Sequence, residues 1–235
     1  MDYVFFDFDD TIYDQSGPFA RAYEQVLADR VTVDATELFV ASRRHSDEVF
    51  HASERGEVSM DDMYVFRIQA AFADLGHEVD AASCLEMQRV YAHLQETDIE
   101  VAPEVRALLD WCRARARVGI ISNGPAAHQL KKLEVIGIYE WVERSDVFIS
   151  SIEGVAKPDP GLYELACART NTAPGRCVYV GDAYYPDVLG AHAAGMPVVW
   201  FNHRRRQRPS GPAPDAEVWS VPEIAGAIED VERDA

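Results

Sequence analysis

Phe5-Phe6-Asp7-Phe8-Asp9-Asp10-Thr11 is the stretch from which the fold of this 235-residue chain is read. An apolar run that starts at Tyr3 delivers three carboxylates at its C-terminal end, where open α/β sheets place their ligand sites. Side chains alternate along a strand, so Asp7 and Asp9 lie on one side if the backbone stays extended. Two carboxylates this close raise one another's pKa unless a cation stands between them. An acidic turn that caps the next segment would need one acid; three in four positions call for a stronger reason.

Working outward, four more short apolar runs follow: Val118–Ile121, Val147–Ile149, Cys177–Val180 and Val198–Phe201. Bounded by polar residues, they read as buried parallel strands. Helical periodicity separates them at Ala126–Ile136, Gly161–Thr170 and Asp187–Ala194, and Pro222–Val231 supplies a last helix. This alternation predicts an α/β fold: a Rossmann-like parallel sheet core with helices on both faces.

More than 100 residues separate the first strand from the second, too many for one crossover. Four amphipathic stretches occupy residues 18–96, with stripes Phe19/Ala22/Tyr23/Val26/Leu27, Leu38/Ser42/His45/Val49, Met60/Met63/Tyr64/Ile68/Ala71/Phe72/Leu75 and Cys84/Met87/Tyr91/Leu94. Asp34, Ser59 and Asp80 are placed to cap the second, third and fourth helices. Each stripe needs a partner, which predicts an inserted helical bundle over 17–97 and a core formed by 1–16 and 98–235. Gly17-Pro18 and Thr97–Pro103 are the expected connections.

The chain has 40 acidic and 22 basic residues, a formal charge of −18; three of the 22 are Lys (Lys131, Lys132, Lys157) and the other 19 are Arg. Such a balance excludes nucleic acid and anionic membrane as partners, because both need a basic surface. The acid excess predicts solubility through surface charge in a saline cytoplasm, whereas a GC-rich genome by itself would account for the few lysines. Residues 12–98 hold 17 acids and 7 bases, so the insertion is the more acidic part. No run approaches a membrane span, and Met1–Asp7 reads as a first strand, not a signal peptide. The four scattered cysteines read as reduced and structural, as in cytoplasmic proteins. The run Arg204-Arg205-Arg206-Gln207-Arg208 reads as an exposed loop after the last strand.

Three further motifs end predicted strands or follow them. Ile120-Ile121-Ser122-Asn123-Gly124 offers hydroxyl and amide donors to an anion. Ala156-Lys157-Pro158-Asp159-Pro160 holds a Lys in a chain that hardly uses the residue. Val178-Tyr179-Val180-Gly181-Asp182 presents a carboxylate after a Gly that permits close approach, and Asp187 follows at the start of a helix, where an N-cap is the alternative. Asp7, Asp9, Asp182 and Asp187 with Lys157 sum to −3, hostile to an anionic substrate unless a cation binds. A hard divalent ion, Mg²⁺, suits oxygen ligands together with a substrate phosphate.

These four motifs, in this order and spacing, resemble the haloacid dehalogenase superfamily of phosphohydrolases, and the helical insertion after the first motif resembles its α-helical cap subclass. Ser122-Asn123-Gly124, Gly154-Val155-Ala156-Lys157-Pro158, Val180-Gly181-Asp182 and Trp200-Phe201-Asn202 are similar to pyrimidine 5′-nucleotidase-type members. The resemblance implies a Mg²⁺-dependent phosphatase for a small phosphorylated metabolite such as a nucleoside 5′-monophosphate. Asp7 is implied as the nucleophile that forms an aspartyl-phosphate. Asp9 is implied as the acid and then the base, with a raised pKa beside an ionised Asp7. Thr11, Ser122, Asn123 and Lys157 are implied to bind the phosphoryl group, and Asp7, the Asp9 carbonyl, Asp182 and Asp187 to hold the metal.

A phosphomutase would use the same nucleophile and exclude water. Dehalogenating members lack the second acid of the first motif, so Asp9 argues for phosphate chemistry. A phospho-accepting signalling module would be half this length and lack the insertion. Ala183 departs from relatives that carry Ser or Thr there, which implies a lost hydroxyl near the metal. Within the insertion, Arg67 reads first as snorkelling or acid-paired and second as a substrate contact. His45 reads as a core histidine, and Tyr13 and Phe19 read as core aromatics or as rings that stack a base. The oligomeric state is open.

Overall fold

The computed structural model describes residues 1–54 and 57–234, with the side chains of all of these but 47, 50–54 and 234. The elements run β1 (Tyr3–Phe6), α1 (Ser16–Val26), α2 (Ala35–Glu54), α3 (Met60–Asp74), α4 (Ala81–Gln95), α5 (Pro103–Arg113), β2 (Arg117–Ser122), α6 (Ala126–Ile136), β3 (Val142–Ile149), α7 (Ser150–Glu153) and α8 (Pro160–Arg169). They continue with β4 (Cys177–Gly181), a π turn (Tyr184–Val188), α9 (Leu189–Ala193), β5 (Val198–Phe201), β6 (Ala216–Val218) and α10 (Val221–Asp234). The chain divides into two compact units, Met1–Asp14 with Glu100–Ala235, and Gln15–Ile99.

In the first unit the six strands form one parallel sheet in the order β3-β2-β1-β4-β5-β6. The first strand is therefore central. Phe6 pairs with Ile120 on one side and with Val180 on the other, which brings the residues after all three strands to one edge of the sheet. Tyr3 and Phe5 face a core made with Leu162, Tyr163 and Ala166 of α8 and Val188 and Ala191 of the π turn and α9. Val4 and Phe6 alternate to the opposite face and are equally buried, and α5 and α10 pack on β2, β4 and β5. Four strands covered on both faces need continuous apolar runs, which is why their sequences do not alternate.

The predicted strands all form; the third begins earlier than its apolar run, at Val142, because Arg144–Ser145 carry polar side chains outward. The three residues of β6, Ala-Glu-Val, carry no period, and pairing with Val199–Phe201 makes them a strand. α5 begins where the expected connection Thr97–Pro103 ends, and Val105, Leu108, Leu109 and Cys112 form its buried stripe. α6 keeps its predicted bounds and stops at Gly137, whose φ of 71° is the left-handed conformation that ends a helix.

The second unit is four helices around Phe19, Tyr23, Leu38, Phe39, Ile68, Phe72, Met87 and Tyr91. Phe19 packs edge-on against Phe39 and Tyr91, so this ring belongs to the helical core. Ser59 accepts from the Asp62 N–H, Asp80 from Ser83, and Asp34 from Thr36 and Glu37, each supplying a cap that the helix start requires. His45 is not a core residue: it is partly exposed and bridges Asp74 and Glu48 at 2.6 and 3.1 Å, with burial lowering its pKa and those carboxylates raising it further. Arg67 is buried, donates to Gln88 and lies 5.1 Å over the Tyr64 ring; its partners are an amide and a ring instead of the expected acid. Among the described residues no helix is long and apolar enough to cross a membrane.

Candidate active site

Because β2, β1 and β4 are neighbours in register, Ser122, Asp7 and Asp182 emerge side by side. The Asp7 N–H extends the ladder to Val180 at 2.8 Å before its side chain leaves the sheet. Asp7 is buried, with Oδ1 accepting from Lys157 Nζ at 2.6 Å and Oδ2 lying 3.5 Å from Thr11 Oγ1.

Lys157 is 3 % exposed, and its ammonium has three partners: Asp7 at 2.6 Å, Asp187 at 2.7 Å and the Tyr179 hydroxyl at 2.9 Å. Asn123 fixes the main chain beneath it, donating to the Lys157 carbonyl and accepting from the Lys157 N–H, each at 2.9 Å. The Asn123 side-chain amide thereby positions Lys157. Ser122 is buried and accepts from Gln129 Nε2 at 2.9 Å.

Asp187 lies inside the π turn, and does not act as a simple N-cap. Its Oδ1 accepts from Lys157 and Tyr179, and its Oδ2 accepts from the Ala183 N–H at 2.9 Å. The contact at Ala183 is made by the backbone, so it does not need a hydroxyl at that position. Gly181 is required here, since a Cβ would stand 2.5 Å from the Asp187 carboxyl carbon. Asp182 is buried, and Arg206 Nη2 lies 3.7 Å from it.

The electrostatics follow from how many cations each acid has. Burial pushes Asp7 up, Lys157 opposes this and Asp187 adds to it, leaving the group at about 7. Burial also drives Asp182 well above the carboxylate range, helped by Asp10. Asp9 goes the other way: burial raises it, but Lys132 and hydrogen bonds from Tyr13 and Gln129 outweigh burial and hold it below its ordinary value. Asp9 thus lies below its ordinary value and Asp7 above it, opposite to the expected order, because Asp7 shares Lys157 with Asp187 while two neutral donors and Lys132 meet Asp9.

That lysine was not foreseen. Lys132 is 2 % exposed and reaches Asp9 Oδ1 at 2.5 Å, where Tyr13 also donates at 2.5 Å, while Gln129 Nε2 meets Oδ2 at 2.8 Å. Tyr13 therefore has a polar task beside its packing on Phe8. Lysine is as scarce at position 132 as at 157, and Gln129, Lys132, Leu133 and Ile136 share the buried face of α6.

The basic run is not simply an exposed loop either. Arg204 makes a two-pronged pair with Asp10 at 2.8 and 2.6 Å and a third contact with Asp14 at 2.7 Å, holding Asp10 well below the carboxylate range against the effect of its burial. Asn202 binds the Arg206 main chain in both directions at 2.8 Å. Arg204 is far in sequence from Asp10 and Asp14, and the parallel sheet brings β5 and its loop to the same edge.

Asp7, Asp182 and Asp187 each offer an oxygen within 4.8 Å of the others; Asp10, Asp182 and His203 form a second such group. In the first, three buried carboxylates face one ammonium, a formal −2. Oxygen donors in excess of local positive charge fit a hard divalent cation. The Asp9 carboxylate, paired with Lys132, belongs to neither group.

A family described as haloacid dehalogenase-like hydrolase matches residues 1–195. The Escherichia coli pyrimidine 5′-nucleotidase YjjG is 35% identical over 123 residues, 52% of this chain and 54% of that protein, so the match spans about half of its length. The glyceraldehyde 3-phosphate phosphatase of Methanothermobacter thermautotrophicus is 31% identical over 200 residues, 85% of this chain and 84% of that one. Among solved structures, the putative hydrolase YfnB of Bacillus subtilis, described as bound to magnesium, aligns with a TM-score of 0.74 over 96% of this chain and 97% of its own, at 21% identity.

Proposed function

Since the chain belongs to the haloacid dehalogenase-like hydrolase family, we propose that it is a phosphatase that hydrolyses the phosphomonoester of a small metabolite through Asp7. The observation that carries this reading is Asp7 itself, buried at a sheet edge beside Lys157, with a second carboxylate, Asp9, two residues on and held by separate donors. Lys157 takes one lone pair of Asp7 Oδ1, which keeps the other for a metal and leaves Oδ2 to attack phosphorus. A bond forms from Oδ2 to phosphorus as the ester bond breaks, and Asp9, which first takes up a proton from solvent, passes it to the departing oxygen. Asp9 then takes a proton from the water that attacks the aspartyl-phosphate, releasing phosphate and restoring Asp7.

Asp7, Asp182 and Asp187 would hold Mg²⁺, which when bound supplies the positive charge that a phosphoryl group needs at this acidic edge. Lys157 and Ser122 would contact the phosphoryl oxygens. The unit Gln15–Ile99 would act as the cap that selects substrate. The similarity to a pyrimidine nucleotidase supports a nucleoside 5′-monophosphate, and that to a glyceraldehyde 3-phosphate phosphatase supports a phosphorylated triose.

The test is turnover of p-nitrophenyl phosphate with and without Mg²⁺, repeated with Asp7→Asn. Loss of the nucleophile should cost about 10³-fold or more. Turnover that ignores Mg²⁺ would remove the metal from the proposal. An Asp7→Asn variant as active as the parent would remove the nucleophile.

A further inference from the structure

Lys132 is buried on α6, 123 residues from the acid it meets, in a chain with three lysines. Its ammonium lies 5.4 Å from the Phe8 ring and 5.8 Å from that of Tyr13, apolar surroundings in which a charge is costly unless it is paired. The pairing is specific to one oxygen. Lys132 Nζ and the Tyr13 hydroxyl both donate to Asp9 Oδ1 at 2.5 Å, and Tyr13 is also 3.5 Å from Nζ, so the three groups close a triangle around that atom.

Asp9 Oδ2 is held differently. Its donor, Gln129 Nε2 at 2.8 Å, also lies 2.6 Å from the Asn123 carbonyl and 2.9 Å from Ser122 Oγ. An amide nitrogen has two hydrogens for these three acceptors, so Oδ2 has only a shared donor. One oxygen of Asp9 is saturated and anchored, and the other keeps capacity for a further proton.

We propose that Lys132, with Tyr13, is a positioning residue for Asp9: it anchors Oδ1 and so assigns Oδ2 as the oxygen that gives the proton to the leaving group and later takes one from water. This rests on the phosphatase reading above and adds no step to it. Lys132 itself touches neither phosphorus nor the leaving oxygen. Its contribution is orientation, which is worth most when proton transfer to the leaving oxygen limits the rate.

Leaving-group dependence isolates that contribution. A nitrophenolate departs as a stable anion and needs no proton, whereas an alkoxide requires one. Lys132→Met should therefore lower kcat/KM, which reports formation of the aspartyl-phosphate, by about 10²-fold for an alkyl ester such as glycerol 3-phosphate and by only about 3-fold for p-nitrophenyl phosphate. Asp9→Asn should show the same selectivity, and the double variant should lose little beyond Asp9→Asn alone, because both act on one proton transfer. Tyr13→Phe keeps the ring and the lysine charge and should show a smaller loss of the same pattern, about 3- to 10-fold for the alkyl ester; it decides the matter if Lys132→Met does not fold. Equal losses for the two esters in a folded Lys132 or Tyr13 variant, no loss for either, or additive losses with Asp9→Asn would overturn the inference while leaving the phosphatase reading standing. A parent inactive on both esters, or an Asp7→Asn variant as active as the parent, would overturn both.

Discussion

Asp7 with Lys157 and Asp9 with Lys132 are the same pair of residue types at nearly the same distance, 2.6 and 2.5 Å, within one seven-residue motif. Their environments diverge. Lys157 is divided between Asp7 and Asp187, with Asp182 in the same cluster, and Asp7 rises to about 7. Lys132 serves Asp9 with help from two neutral donors, and Asp9 falls below its ordinary value. The difference shows that burial alone does not set the charge state of a carboxylate; the number of cations per acid does. One pocket is complete within the chain, and the other is short of positive charge, which is the condition for binding a metal.

The comparison breaks most visibly at Lys157. Lys157→Met leaves three buried carboxylates without an ammonium, and the metal-free protein should lose about 3–5 kcal/mol in urea denaturation. Millimolar Mg²⁺ should recover much of this. A variant as stable as the parent in EDTA would mean that the first pocket does not depend on its lysine.

Proton linkage gives the next effect. Asp7 has a folded pKa above its unfolded one, so the native state binds the extra proton between roughly pH 4 and 7, and stability falls as pH rises through that window. Asp9 has the opposite sign, contributing stability above about pH 4 that is lost only on acidification below it. The metal-free protein should therefore be more stable at pH 5 than at pH 8, by on the order of 2–4 kcal/mol from Asp7. Equal urea midpoints at the two pH values would contradict the raised Asp7.

Adding metal should sharpen the contrast. At a hundred times its Kd, Mg²⁺ should raise the unfolding free energy by about 2.7 kcal/mol at pH 8. The gain should shrink at pH 5, where protons compete for Asp7. A thermal shift independent of pH would separate metal binding from this cluster.

The smallest effect is expected at Arg206, 3.7 Å from Asp182 and about a third exposed. Arg206→Gln should change stability by less than about 1 kcal/mol. It should tighten Mg²⁺ binding by about 2- to 5-fold in titration calorimetry, because a competing positive charge is gone. Weaker binding would show that Arg206 supports the metal site instead of competing with it.

Much of the first pocket was legible in sequence. Asp7 and Asp182 come just after short apolar strands, with Asp187 in the turn that follows, and Lys157 lies in the loop beyond the short α7, so local pattern and parallel topology together say which end they occupy. The second pocket was not. Lys132 lies in an amphipathic helix beside the exposed Lys131, and at one residue's spacing no pattern says which lysine turns inward. Arg204 and Arg206 were hidden for the opposite reason: a run of arginines after a strand looks solvated until the sheet order places β5 next to β4. Asn123 was correctly placed at the edge, but its amide serves the Lys157 backbone, a contact across 34 residues that local sequence does not encode.

The sequence by itself determined the layered α/β fold, the inserted helices with their caps, and the edge at which acids gather, because periodicity, capping and strand ends are local properties. Only the tertiary structure decided which cation belongs to which acid. That choice rests on distances between residues up to 194 positions apart, and in a buried site it is the pairing, more than the residue type, that fixes charge.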